Sequence, residues 1–240
     1  MGALNTIRDL LEEDSLNYWV HAGTLLGLIR EGRLLETDPD IDIGIWLSDV
    51  DQLLSIVNSI GGYRTEIYTY NGTPYQIKLK PSIKTNRIID FTVFRSDTTI
   101  AWAPMPVANP LKVAQTTTDY MMNFHRVTIY LVWKLLFDGY RGYGGFFKGK
   151  TSSSVEITQL PESAFYTVGT LVVPKHYFDQ LCMVDDFNIP APNPPTEYLR
   201  YKFGDWQNPV NNWHFWTDDA AIKQAPPEQV IDSQTRLDRF

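Results

Sequence analysis

The chain of 240 residues contains a single cysteine, Cys182. One thiol can neither close an intramolecular disulfide nor build a cysteine-rich zinc site, so the fold must rest on its apolar core. Basic residues are also short: 21 Lys and Arg against 28 Asp and Glu leave a net charge of −7. A general nucleic-acid-binding surface needs the opposite excess, and no such binding is expected. Long apolar runs are missing too. No stretch approaches the roughly 20 residues that cross a bilayer. The opening MGALNTIRDLLEEDS is amphipathic and acidic and lacks the apolar run of a secretory signal. No transmembrane segment and a cytoplasmic location are therefore the expectations. Internal repeats and low-complexity tails are absent.

What is present suits a globular chain. Hydrophobic residues make up 43% and charged residues 20%, enough for one substantial core, or one domain with an added lobe. Seven Trp and thirteen Tyr are ordinary core material that can also stack on sugars or bases.

The chain is organised around His21 to Ile45, HAGTLLGLIREGRLLETDPDIDIGI. Apolar residues fall at 41, 43 and 45, with Asp40, Asp42 and Gly44 between them. This is the period of a half-buried strand. Asp40 and Asp42 then share one face, their Cα atoms roughly 6–7 Å apart. Two such charges repel unless a cation lies between them, and hard oxygen ligands suit Mg²⁺ or Mn²⁺. Upstream, Tyr18-Trp19-Val20 reads as a strand. Gly23-Thr24 follows, and an amphipathic helix runs on to about Gly32, a candidate C-cap. A strand, a turn of small residues and a helix N-terminus make a site for phosphate. An isolated Asp-x-Asp is often only the solvent face of an edge strand. A phosphate cradle seventeen residues upstream of Asp40 favours chemistry.

The remaining elements follow from pattern. A helix is expected over 3–15, and a second strand over Ile41 to Leu47. A further helix is capped by Ser48 and ends before Gly61-Gly62. Tyr63–Tyr70 and Tyr75–Lys80 flank Asn71-Gly72, a hairpin signal, with Thr73-Pro74 lengthening the loop. In Ile88–Arg95, Asp90 sits among apolar neighbours, where a buried carboxylate is costly without a partner. Two readings stand: an ion pair with Arg87 or Arg95, or a third carboxylate brought beside Asp40 and Asp42 by sheet pairing. Residues 97–119, with Pro104, Pro106 and Pro110, read as irregular. Residues 120–138, carrying His125 and Lys134, read as a buried helix, and the glycine-rich 139–149 as a linker or a closing loop. His176 and Cys182 have no ligand partners at a recognisable spacing and read as structural.

Two segments resemble the LicD family, which includes fukutin and fukutin-related protein. The first is Trp19-Val20-His21-Ala22-Gly23-Thr24-Leu25-Leu26-Gly27 with Asp38-Pro39-Asp40-Ile41-Asp42. The second is Tyr198-Leu199-Arg200-Tyr201-Lys202-Phe203-Gly204-Asp205. The chain departs from the family pattern at Thr37 (usually Trp), Pro39 (usually acidic) and Phe203 (usually Tyr). The resemblance implies an α/β nucleotidyltransferase-like fold of the DNA polymerase β type: a mixed sheet flanked by helices, with a helical C-terminal extension. Residues 1–150 would form the catalytic core, and 151–240 an extension completing the same domain. The implied reaction moves a substituted phosphate, such as phosphocholine or a polyol phosphate, from a CDP-linked donor to a carbohydrate acceptor, releasing CMP. Asp40, Asp42 and Asp90 would be catalytic and hold Mg²⁺ or Mn²⁺, with Asp38 a further candidate. Gly23 and Thr24 would bind phosphate. Two alternatives remain at this stage. One is a nucleotidyltransferase that attaches the nucleotide itself. The other is a non-catalytic glycan- or nucleotide-binding module, which would be expected to have lost a carboxylate that this chain keeps.

Overall fold

The computed structural model describes residues 2–57, 60–82, 87–108, 149–150, 155–159, 166–210 and 213–231. The expected helix over 120–138, with His125 and Lys134, and nearly all of the glycine-rich stretch lie outside them. In chain order the elements are α1 (Gly2–Glu13), β1 (Tyr18–Val20), α2 (Ala22–Glu31), β2 (Asp40–Trp46), α3 (Val50–Val57), β3 (Tyr63–Tyr70), β4 (Thr73–Pro81), β5 (Ile88–Ser96) and β6 (Ile100–Ala108). Then come β7 (Gly149–Lys150), β8 (Val155–Gln159), β9 (Tyr166–Pro174), β10 (Cys182–Val184), β11 (Ile189–Ala191), α4 (Pro195–Phe203), α5 (Phe215–Asp218) and β12 (Ile222–Lys223). Among the described residues no helix is long and apolar enough to cross a membrane.

Among the described residues ten strands form one mixed sheet, in the order β12-β9-β6-β5-β4-β3-β8-β7, with β2 on β5 and β1 on β2. The β2–β5 and β3–β8 pairs are parallel. Alternation splits the central strands into two faces. Ile41, Ile43, Ile45, Ile67, Ile77, Leu79, Ile89, Phe91 and Val93 are buried on one face. They join Leu4, Ile7 and Leu11 of α1 and Leu53 and Ile56 of α3 in a single core. The other face carries Asp40, Asp42, Asp90, Gln76, Lys78 and Glu66. This division, an apolar floor beneath and a polar face above, positions the candidate site.

Several local expectations are corrected. Ser48 caps nothing. A 3₁₀ turn over Leu47–Asp49 precedes α3, and the Ser48 hydroxyl bonds the Asp49 carboxylate at 3.0 Å. The hairpin loop is only Asn71-Gly72, both with positive φ (50° and 76°), as a tight turn matching the strand twist requires. Thr73 and Pro74 lie in β4, and a bulge at Tyr68/Thr69 absorbs the offset. The stretch read as irregular contains β6, which pairs antiparallel with β9 from Ile100↔Pro174 to Ala108↔Tyr166. Lys175 N–H donates to the Thr99 carbonyl (2.8 Å), which fixes the phase of that ladder. Odd-numbered residues of β6 bond β9, so Pro104 and Pro106 point their donor-less nitrogens the other way and break no bond. After residue 150 the chain adds strands β8, β9 and β12 to the main sheet as well as the helix α4.

Candidate active site

The site begins where β1 gives way to α2. Ala22 at the turn takes a left-handed φ of 47°, a costly conformation for a residue with a side chain. It brings the first turn of α2 against the end of β2. Thr24 and Asp42 bond each other twice: Asp42 N–H donates to Thr24 Oγ1 (2.8 Å), and Thr24 N–H donates to Asp42 Oδ2 (3.3 Å). A carboxylate at a helix N-terminus is favoured by the amide dipoles. The Thr24 amide that the sequence assigned to phosphate is thus aimed at Asp42 in this structure. Gly23 is glycine for a related reason. A Cβ there would lie 2.0 Å from Asp38 Oδ2 and 3.3 Å from Asp42 Oδ2. Gly27 makes similar room farther along the helix, where a Cβ would meet the Arg33 carbonyl at 2.6 Å and the Leu35 nitrogen at 2.9 Å. The loop that delivers Asp38 can therefore fold back on α2. Arg87, just before β5, clamps that loop by donating to the carbonyls of Asp38 and Leu35.

Asp38, Asp40 and Asp42 converge, each offering an oxygen within 4.8 Å of the others. All three are half-buried. Burial, a hydrogen bond shared with Asp40 and the Asp40 charge push the Asp38 carboxyl up to about 7, against the pull of Arg87. Asp42 is pushed well above the ordinary carboxylate range by burial and by the charges of Asp40, Asp38 and Asp90, and the Thr24 amide only partly opposes this. Such concentrated, mutually repelling oxygen ligands suit a hard divalent cation.

Asp90 lies beside Asp42 in the parallel β2–β5 register, on the same face of the sheet. It is 6% exposed. Its Oδ2 accepts from Gln76 Nε2 (2.8 Å) and pairs with Lys78 Nζ (2.8 Å), both from β4. Its Oδ1 is buried and has no hydrogen-bond partner among the described residues. Burial raises its pKa, while the Lys78 charge and hydrogen bond oppose the rise. The ion pair considered from sequence is therefore made with Lys78, not with Arg87 or Arg95. Arg87 holds the Asp38 loop, and Arg95 lies over the Trp102 ring and donates to the Pro74 carbonyl. Sequence reasoning missed Lys78. The period-two spacing of Gln76, Lys78 and Lys80 was the available signal.

A second buried polar group lies near the first turn of α2. His21 is 3% exposed, its two ring nitrogens have no partner among the described residues, and Phe94 meets its ring edge-on at 5.5 Å. Burial and the Lys202 charge press its pKa down to about 3, so the ring is neutral. Lys202 of α4 is itself buried and pairs with Asp219 at 2.7 Å. Tyr198, one turn earlier, buries a hydroxyl that has no partner among the described residues. The second sequence motif thus packs Tyr198 and Lys202 into the interior, while its Arg200 and Asp205 are exposed. His176 is exposed with its ring on Tyr177, and the Cys182 thiol donates weakly to the carbonyls of Ala191 and Pro192. Neither joins the acidic cluster.

Residues 15–106, which contain all of the clustered carboxylates, match the family model described as LicD/FKTN/FKRP, nucleotidyltransferase domain. An uncharacterized protein of Rickettsia prowazekii is 39% identical over 49 residues, 20% of this chain and 18% of that protein. The ribitol 5-phosphate transferase FKRP of Homo sapiens is 44% identical over 41 residues, 17% of this chain and 8% of that protein. Its Mus musculus counterpart matches equally. The matched stretch therefore spans less than a fifth of each of these relatives.

Proposed function

We propose that this chain, whose residues 15–106 match the LicD/FKTN/FKRP nucleotidyltransferase domain model, is a transferase of substituted phosphate groups. The donor is a CDP-linked compound and the acceptor is a sugar hydroxyl. The acceptor oxygen forms a bond to the phosphorus that bears the substituent, the pyrophosphate P–O bond breaks, and CMP leaves with that electron pair. The observation that carries this reading is the convergence of Asp38, Asp40 and Asp42 on one point, with Asp90 in register beside them.

Asp40 and Asp42, with Asp38, would hold Mg²⁺ or Mn²⁺. The all-oxygen donor set and the open, buried Oδ1 of Asp90 fit such an ion. When bound, it would supply charge stabilisation for the pyrophosphate and the leaving phosphate. The chain's own residues do the rest. Thr24 holds Asp42 at the helix N-terminus, Gly23 leaves room for Asp38, and Arg87 fixes the loop behind it. Asp90 either completes the cation site or accepts the hydroxyl proton through Oδ1.

The test is to incubate the protein with a panel of CDP-linked donors and sugar acceptors, with Mg²⁺ or with EDTA. CMP release that needs both donor and metal is the expected result. Full activity in EDTA would remove the metal from the reading. A nucleotide-bearing product without CMP release would identify a nucleotidyltransferase instead.

A further inference from the structure

β4 turns Gln76, Lys78 and Lys80 toward the sheet face that carries the acidic cluster. Register then lines up Asp42, Asp90, Lys78 and Glu66 across β2, β5, β4 and β3. The Lys78 ammonium sits in the middle of this row. It contacts the one oxygen of Asp90 that Gln76 also uses, and it leaves Oδ1 open. The Lys78 side chain is 24% exposed and that of Asp90 8%, so the lysine is the more accessible partner of the pair. A lysine has a mobile four-carbon stem and a compact charge with three donors, and it can change partners without moving the backbone.

Where Lys78 could go is restricted. Glu66, the next acid in the row, already engages Arg64 and Lys80 (2.7 Å) and accepts from the Tyr68 hydroxyl (2.7 Å). The charges of Asp40 and Asp42 also favour the ammonium in the free protein. Once a divalent cation neutralises those carboxylates, most of that attraction is cancelled and the ammonium is held less firmly. The anion then nearest to hand is the phosphate of the donor.

We propose that Lys78 is the donor-phosphate contact of this site: it serves as the internal counterion of Asp90 in the free protein and turns to the pyrophosphate when the acidic cluster holds its cation. The proposal rests on reading that cluster as a divalent-cation site. It makes two predictions of opposite sign for one substitution. Lys78→Met removes a competing positive charge, so Mn²⁺ alone should bind severalfold more tightly. The same variant should bind inorganic pyrophosphate, in saturating Mn²⁺, at least ten-fold more weakly. Lys78→Arg keeps the charge and should hold Mn²⁺ affinity near that of the unsubstituted protein.

Both affinities can be measured by isothermal titration calorimetry, with thermal melts to verify folding. If Lys78→Met does not fold, Lys78→Gln, which retains a polar contact for Asp90, takes the same two titrations. Unchanged Mn²⁺ affinity, or pyrophosphate affinity that survives the loss of the charge, overturns the proposal. A purely structural lysine would weaken both ligands or neither. Failure of the unsubstituted protein to bind Mn²⁺ would refute the cation site itself, and the two failures are thus told apart.

Discussion

Gly23→Ala separates the fold from the site more sharply than any removal of charge. Gly23 lies in the first turn of α2 and has no positive φ. Alanine is therefore sterically allowed by the backbone, and helix propensity favours it by up to about 1 kcal/mol. The new Cβ, however, falls 2.0 Å from Asp38 Oδ2 and 3.3 Å from Asp42 Oδ2. The Asp38 carboxylate must retreat by about 1.5–2 Å to reach ordinary contact. Being the end of a half-buried side chain, it can do so at little cost to the fold. The free protein should then melt at the same temperature or slightly higher, while the three-oxygen set is spoiled. At a concentration about 100 times Kd, a bound cation stabilises by about 2.7 kcal/mol. For a chain of this size that is a rise of about 5–10 °C in Tm. Melts with and without Mn²⁺ should show that rise in the unsubstituted protein and most of it gone in Gly23→Ala. A variant that keeps the whole Mn²⁺-induced rise would refute the reasoning, because the clash would then have no bearing on the ligands.

Asp42→Asn keeps the shape of the side chain and its reciprocal contact with Thr24. It should leave the free protein as stable or more so, abolish the Mn²⁺-induced rise, and lower CMP release by about 100-fold or more. Asp38 titrates near 7 in the folded protein and near 4 when unfolded, so between those values the folded state carries a proton that the unfolded chain has lost. Its contribution should stabilise the free protein as pH falls from 7 toward 5 and vanish as pH rises through 7. Mn²⁺ must displace that proton, so its affinity should change in the opposite sense and weaken on acidification, which melts across that range with and without the ion would show. Lys202→Met leaves the Asp219 carboxylate buried without its cation and should cost about 3–5 kcal/mol in denaturant unfolding.

The sequence made the first half of the site legible because it is local. Asp40 and Asp42 share a face by strand alternation, and Gly23 and Thr24 mark a strand-to-helix turn. The placement of Asp90 followed only once pairing of the two strands was assumed, and its partner did not follow at all. Lys78 meets Asp90 through the β4–β5 register, a relation between strands that no single stretch encodes. The function of Gly23 was likewise invisible, since the atom that needs the space belongs to Asp38, fifteen residues away. Prolines misled the reading of β6 for a different reason. Their cost depends on which edge of the strand their nitrogens face, and phase is a tertiary property.

That phase bears on how the protein behaves among its own copies. Beyond Trp102, no described strand pairs with the edge of β6 that faces away from β9. An open edge is a template on which another chain can add a strand. On that edge Pro104 is buried and Pro106 is half-buried, so the position nearer solvent, 106, has no amide to offer an incoming strand. Pro106, which looks like a break in the strand, thus acts as a guard against edge-to-edge association. Pro106→Thr would keep the β9 ladder, restore a donor to that edge, and make the sheet more prone to self-assemble at high concentration.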